Sequence, residues 1–169
     1  MNKPPKQRKK LEQGFTLLEL LMAFLLLNVL MIISYQMSLK QVEKARQAEA
    51  LSTLGLINRA QQFYKFEHST FTSLNNLSIS IGSDNGNGTY SAQYYIFSDT
   101  NIESTYSGQR ASASPVYQND ILNYASAISQ KNDGTFTNII CESTSTTADD
   151  AATSQSNNEV FCSGGHPMR

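Results

Sequence analysis

The side chains able to do chemistry are few and scattered. Cys141 and Cys162 are the only cysteines, and His68 and His166 the only histidines. They cannot build a Cys-only zinc site or complete a mixed site of the usual kind. Neither histidine has a Ser or Cys beside it in a nucleophile motif. Asp84-Asn85-Gly86 opens like a calcium loop but lacks the EF-hand spacing and its closing Glu. Asn76-Leu77-Ser78 and Asn87-Gly88-Thr89 match the glycosylation sequon, but Ser, Thr and Asn are so common here that coincidence accounts for them. The Ser/Thr-rich stretch 143–158 is a candidate for O-linked sugars. These residues imply no enzyme, no cofactor and no bound metal. Glu19 is different, because it is a lone carboxylate inside an apolar run.

That run is one of three unlike segments in a chain of 169 residues with formal net charge −1. Residues 1–14 carry Lys3, Lys6, Arg8, Lys9 and Lys10 against Glu12. From Phe15 to Ile33, Glu19 is the single charge in 19 residues. Residues 69–169 set Arg110, Lys131 and Arg169 against nine acids. Basic, apolar and then acidic is the order of a membrane-inserted chain with its N-terminus inside. At ~1.5 Å per residue the apolar run reaches close to the thickness of a bilayer's hydrocarbon core. It lacks Gly and Pro, so a continuous helix is expected. A buried core helix and a secretory signal are the rival readings. No other segment is apolar enough to surround such a core helix, and Ser34-Tyr35-Gln36-Met37-Ser38 offers only a weak cleavage site.

An ionised carboxylate at Glu19 costs several kcal/mol in lipid unless it is paired or reaches the interface. No Lys or Arg stands at 15, 16, 22 or 23 to pair with it along the helix. Asn28 is the other polar break in the run, and a helix–helix hydrogen bond is expected there.

Lys9-Lys10 followed by Gln13-Gly14-Phe15-Thr16-Leu17-Leu18-Glu19-Leu20-Leu21 resembles the N-terminal signature of type IV pilins and the related pseudopilins. The resemblance implies that a prepilin peptidase cuts between Gly14 and Phe15 and that Phe15 is then N-methylated. It also implies a partner for Glu19, since cleavage frees a cationic α-amino group on Phe15. Stacked subunits can bring one subunit's carboxylate to the next one's amine, and a buried pair of that kind sets register more than it adds stability. Pairing within one subunit, where the two groups are a turn apart, is the competing arrangement.

The helix is expected to continue beyond the membrane. Residues 35–67 contain no Pro and only Gly55. Tyr35, Leu39, Val42, Ala45, Leu54, Ile57, Ala60 and Tyr64 mark one apolar face at a spacing of three to four residues. Lys40, Glu43, Lys44, Arg46, Gln47, Arg59 and Gln61 mostly occupy the other. A helix from Phe15 to Glu67 would be about 80 Å long, so its first half must project from any domain of ordinary size. Sustained heptads that would make it a coiled coil are lacking. Asn58-Arg59-Ala60-Gln61-Gln62-Phe63-Tyr64 also resembles the helix end of pilins of the cyanobacterial type.

The remainder reads as three or four short antiparallel strands. Thr89–Phe97 is the best of them, preceded by a turn cluster from Asp84 to Gly88. Leu122–Ser129 and Thr135–Cys141 form a hairpin around Lys131-Asn132-Asp133-Gly134. Ala111–Tyr117 would be an edge strand because of Pro115. Cys141 and Cys162 fall on the exported side of such a chain. A bond between them would stabilise by about 3 kcal/mol through loop entropy, and free thiols are the alternative. The pairing resembles the disulfide-bounded C-terminal region of type IV pilins. The enclosed 143–158 lacks any large apolar residue and is not expected to fold alone.

The expected fold is α+β, a long N-terminal helix spine with a small antiparallel β-sheet head. The expected divisions are a leader at 1–14, a transmembrane and filament-core helix at 15–33, its amphipathic continuation at 34–68 and a β-rich head at 69–169. The resemblance implies a type IV pilus structural subunit. Gln36 stands where such subunits often carry Pro, and Asn28 where they often carry Gly, which favours a minor pilin. A type II secretion pseudopilin, or a tip subunit for adhesion or DNA uptake, is the alternative. With only three basic residues in the head, nucleic acid is a poor partner. The implied partners are other pilin subunits, the prepilin peptidase and methyltransferase, a pilus or secretion assembly platform, and the membrane before assembly. The precursor would be a single-pass protein of the plasma (inner) membrane, its leader cytoplasmic and its head exported. Once assembled it would belong to a surface or periplasmic filament.

Overall fold

The computed structural model describes residues 16–168, except for the side chain of Gln36. The chain divides into two compact units between Lys40 and Gln41. A single helix, α1 (Leu17–His68), contributes to both. Its sequence has no Pro and one Gly, and Leu, Ala, Gln, Glu and Lys supply good helix propensity. At its end Ser69 takes a left-handed conformation (φ 60°), and its N–H donates to Lys65 O at 2.9 Å, an αL cap made without glycine. Lys65 Nζ reaches past this cap to donate to Ser69 O and Ser104 O at 2.6 and 2.9 Å.

Beyond α1 the second unit is built from β1 (Ser83–Asp84), β2 (Thr89–Ser91), β3 (Tyr95–Ile102), β4 (Tyr106–Ala113), β5 (Tyr124–Gln130), β6 (Phe136–Glu142), β7 (Ala152–Ser156), β8 (Glu159–Gly164) and β9 (His166–Pro167). Seven of these make one antiparallel sheet in the order β1-β2-β3-β4-β5-β6-β9, while β7 and β8 pair separately. This is larger than the three or four strands expected from the sequence.

Strand β5 shows why. It is buried over Tyr124–Ser129, so both of its faces are covered. On one face, Tyr124 joins Tyr95, Phe97, Ala111 and Ile121 in a cluster with Ala50, Leu54 and Ile57 of α1. On the other, Ser129 Oγ donates to Asn158 O at 2.6 Å in the β7–β8 turn. The Tyr106 hydroxyl on β4 lies 3.2 Å from Thr153 O and 2.9 Å from Thr153 Oγ1 on β7. The unit is therefore three layers: helix, sheet and hairpin. Small residues make that stacking feasible, since Ser107, Ala111, Ala125, Ala127 and Ser129 are all buried.

The expected hairpin at 131–134 forms as the sequence suggested. Lys131 N donates to Thr135 O and Gly134 N to Lys131 O, while Asp133 keeps a negative φ and Gly134 takes φ 86°. That is a turn closed by a left-handed glycine, a position where a β-carbon would strain the backbone. Two strand expectations need correction. Thr89–Phe97 is not one strand: Ala92 N donates to Tyr95 O, turning the chain between β2 and β3. Ala111–Tyr117 is not an edge strand either. β4 begins earlier, at Tyr106, runs between β3 and β5, and stops at Ala113, ahead of Pro115. The proline thus ends an interior strand, and Pro115–Asp120 continues as turns.

The helix stripe is also more polar than expected. Ala50, Leu54, Ile57, Asn58 and Gln61 are its buried residues, at helical spacing. Gln61, placed on the outer face from its type, is fully buried. Its Nε2 donates to Thr72 O at 2.5 Å, and its Oε1 accepts the Thr72 N–H at 3.1 Å. Asn58 Oδ1 accepts from Ser126 Oγ at 3.4 Å. Arg46 is half-buried, its guanidinium 4.7 Å from the Tyr117 ring centre and 3.5 Å from Asp120.

Gln61→Leu should leave both Thr72 backbone groups buried without partners and cost roughly 1–3 kcal/mol. Urea unfolding checks this, with Gln62→Leu as the control expected to change little. The Cys141–Cys162 bond, with its Cα atoms 5.8 Å apart, ties β6 to β8. Reducing it should lower stability by about 3 kcal/mol, read as a drop in the urea midpoint. Burial pushes the Asp99 carboxyl above its ordinary 3.8, against the pull of the Leu74 N–H that it accepts. The native state then holds this proton more tightly than the unfolded chain does. The resulting stability is complete below pH 3.8 and is lost as pH rises through the raised native value. Asp99→Asn should flatten that part of the stability–pH curve, and an unchanged slope would assign the effect to another group.

Candidate functional site

In the first unit, α1 presents apolar side chains all round rather than along one stripe. Leu17, Leu21, Phe24, Leu27, Leu30 and Ile33 are each more than half exposed. The helix is long and apolar enough to cross a membrane, and none of its most apolar window is buried. In water this surface would be an aggregation liability, whereas lipid or a bundle of like helices accommodates it.

The helix begins two residues before Glu19. Thr16 Oγ1 accepts the Glu19 N–H at 3.3 Å, so Thr16 caps the first turn and Glu19 occupies its third position. Thr-x-x-Glu is the capping-box spacing, and a carboxylate there also faces the positive end of the helix dipole. Glu19 is exposed and makes no ion pair among the described residues. Gly14 and Phe15 lie outside the described residues. Asn28, where a helix–helix hydrogen bond is expected, makes one bond within its own helix. Its Nδ2 donates to Phe24 O at 2.7 Å, leaving Oδ1 and the second Nδ2 hydrogen with spare bonding capacity. Ser38 likewise bonds back to Ser34 O at 3.0 Å.

In the second unit, Cys141 is fully buried on β6 and bonded to Cys162 on β8. The bond falls on the sheet face that the β7–β8 hairpin covers, since Cys141 stands opposite Ala125. The segment 143–158 is not featureless: it contains β7, and Asn157-Asn158, both left-handed at φ 51° and 61°, turn it into β8. That Asn-Asn pair, between Ser156 and Glu159, is the sequence signal that could have revealed the hairpin.

The described cations of the head are committed. Arg110 is paired with Asp149 and also donates to Asp149 O at 2.9 Å, and Lys131 meets Glu159 at 2.6 Å. The Glu159 contact holds Lys131 above its ordinary range. His68 stacks on Tyr64 at 4.2 Å, and His166 stands opposite Glu142 in the β6–β9 pair. Among the described residues no group of three or more His, Cys, Asp or Glu is placed to hold a metal ion.

Two family profiles match this chain. Residues 9–35 match the prokaryotic N-terminal methylation motif, which spans Gly14, Phe15 and Glu19. Residues 47–163 match the profile described as type IV pilin-like G and H, taking in the C-terminal part of α1, strands β1 to β7, most of β8 and the disulfide. No curated protein and no solved structure matches. With one profile covering more than half of its 169 residues, the chain belongs to the type IV pilin-like G and H family.

Proposed function

We propose that this chain is a minor pilin of a type IV pilus, cut after Gly14, N-methylated on Phe15 and assembled into a surface filament through α1. The observation that carries the reading is the methylation motif laid over the start of an exposed apolar helix. An apolar surface of that extent needs lipid before assembly and neighbouring helices after it. Residues 15–33 form the membrane and filament-core segment, 34–68 continue it, and 69–169 form the head. Partners are other pilin subunits, the prepilin peptidase and an assembly platform in the plasma membrane.

Glu19 would pair with the methylated α-amino group of Phe15 on a neighbouring subunit. The capping contact through Thr16 leaves the carboxylate exposed at the helix start, where such a partner can reach it. The minor role is supported by the helix itself. Gln36 and Asn28 both lie inside an unbroken α1, without the Pro or Gly that would favour local melting.

Mass spectrometry of the mature chain should find N-methylphenylalanine from Phe15 at its N-terminus, and an intact Met1 would refute processing. Glu19→Val should leave the membrane pool intact while the chain disappears from sheared filaments. Normal incorporation of that variant would rule out the register role. Immunogold labelling should mark rare points or tips, whereas dense labelling along fibres would make the chain a major subunit.

A further inference from the structure

The turn between β1 and β2 carries two Asn-Gly pairs in succession, Asn85-Gly86 and Asn87-Gly88. Asparagine before glycine can cyclise, because the glycine nitrogen meets no β-carbon as it approaches the side-chain carbonyl. Asp84–Asn87 are exposed, and Gly86 and Gly88 have open space around them. By sequence the two pairs are near equals. Their surroundings are not.

At Asn87 two donors converge on one oxygen. Oδ1 accepts the Thr89 N–H at 3.3 Å and the Thr89 hydroxyl at 2.6 Å. That hydroxyl in turn accepts from Asn85 Nδ2 at 3.0 Å, which polarises it further. Oδ1 is the atom on which negative charge develops when a nucleophile adds to Asn87 Cγ, so these donors are an oxyanion-stabilising pair. The Gly88 N–H, the nucleophile for that attack, makes no hydrogen bond among the described residues.

At Asn85 it is the nucleophile that is engaged. The Gly86 N–H is tied to Asp84 Oδ1 at 2.7 Å, and an adjacent carboxylate opposes its deprotonation. Asn85 Nδ2 donates to Thr89 Oγ1 and Ser91 Oγ at 3.0 and 2.9 Å, and its Oδ1 has a single donor, the Ser91 hydroxyl at 3.2 Å, against the two at Asn87. Asp133-Gly134-Thr135 is a third comparison. Thr135 donates to Asp133 Oδ1 through its N–H at 2.9 Å and its hydroxyl at 2.6 Å, matching Asn87. There the Gly134 N–H is already donated to Lys131 O, and the Thr135 donors hold the Asp133 carboxyl below its ordinary range, in the unreactive ionised form.

From this contrast we infer that Asn87 is a self-modification site, cyclising and deamidating ahead of Asn85. Solvent base removes the Gly88 amide proton, and the nitrogen forms a bond to Asn87 Cγ while the carbonyl electron pair moves onto Oδ1. Collapse of that adduct breaks the Cγ–Nδ2 bond and, with a proton from water, releases ammonia and leaves a succinimide. Water opens the ring at either carbonyl to Asp or isoaspartate. The net change is one water consumed and one ammonia released, with no redox step. The product adds a negative charge to an exposed turn, and the isoaspartate form lengthens the backbone just ahead of β2.

The test is ageing of the full-length protein in detergent at mildly alkaline pH, followed by peptide mapping with fragmentation that separates positions 85 and 87. Native protein should convert at Asn87 several-fold faster than at Asn85, with a succinimide intermediate at Asn87. In concentrated urea the two rates should converge, because the hydrogen bonds that distinguish them are gone. Thr89→Val, which removes the hydroxyl donor and suits a strand, should slow Asn87 several-fold. Faster conversion at Asn85, equal native rates, or no change in Thr89→Val would overturn the inference. So would a sugar-sized mass on Asn87 in the purified protein, which would show that the amide is consumed by glycosylation instead.

Discussion

The second unit depends on a sheet in which the interior strand β5 has two faces to bury and few large aliphatic residues to do it with. β5 reads Tyr-Ala-Ser-Ala-Ile-Ser-Gln, and a strand of that composition cannot hold a single thick core. Burying it requires a layer on each side. Helix α1 covers one face with Ala50, Leu54 and Ile57, and the β7–β8 hairpin covers the other through Thr153, Asn158 and the Cys141–Cys162 bond. The aromatic residues Tyr95, Phe97 and Tyr124 then fill what the aliphatic residues do not. Gln61 is paired with Thr72 and Tyr95 with Leu122 O, whereas the buried Gln109 Oε1, Asp99 Oδ1 and Arg110 Nε have no hydrogen-bond partner among the described residues.

The first unit answers to another constraint. Its apolar surface runs all the way round the helix, so no one-sided packing could cover it. Hydrocarbon or a bundle of similar helices is the environment that suits such a surface. The same chain thus carries one segment written for lipid and another written for water. The two family profiles fall on either side of that division, the methylation motif at 9–35 and the pilin-like profile at 47–163. Residues 69–168 are acidic, and their Arg110 and Lys131 are engaged in ion pairs. Long-range attraction for a polyanion therefore has little to act through.

What could be read in the residues depended on how local the signal was. The long helix was legible because propensity and the absence of Pro act residue by residue. The 131–134 turn was legible because Asp-Gly has a narrow set of conformations. β4 was only half legible. Tyr106-Ser107-Gly108-Gln109 shows no alternation, since both faces of that strand are buried and neither selects large apolar residues. The break between β2 and β3 hid inside a run of strand-forming residues, where only the Ala92 N–H to Tyr95 O bond separates them. Gln61 pointed the wrong way for a like reason. A glutamine looks solvent-facing until a backbone segment, here Thr72, arrives to satisfy both ends of its amide.

Sequence alone determined that a long helix precedes an antiparallel β-rich head, that its first stretch is apolar on every side, and that Glu19 sits alone within it. Each rests on properties a residue carries wherever it is placed: apolarity, charge, helix propensity and turn preference. Tertiary structure decided the rest. It set the number and order of strands, placed the hairpin on the second face of β5, buried Gln61 and Asn58, and gave two neighbouring Asn-Gly pairs different surroundings. Those outcomes depend on partners far away in the chain, or on which of several local hydrogen bonds are made, and no single residue type encodes either.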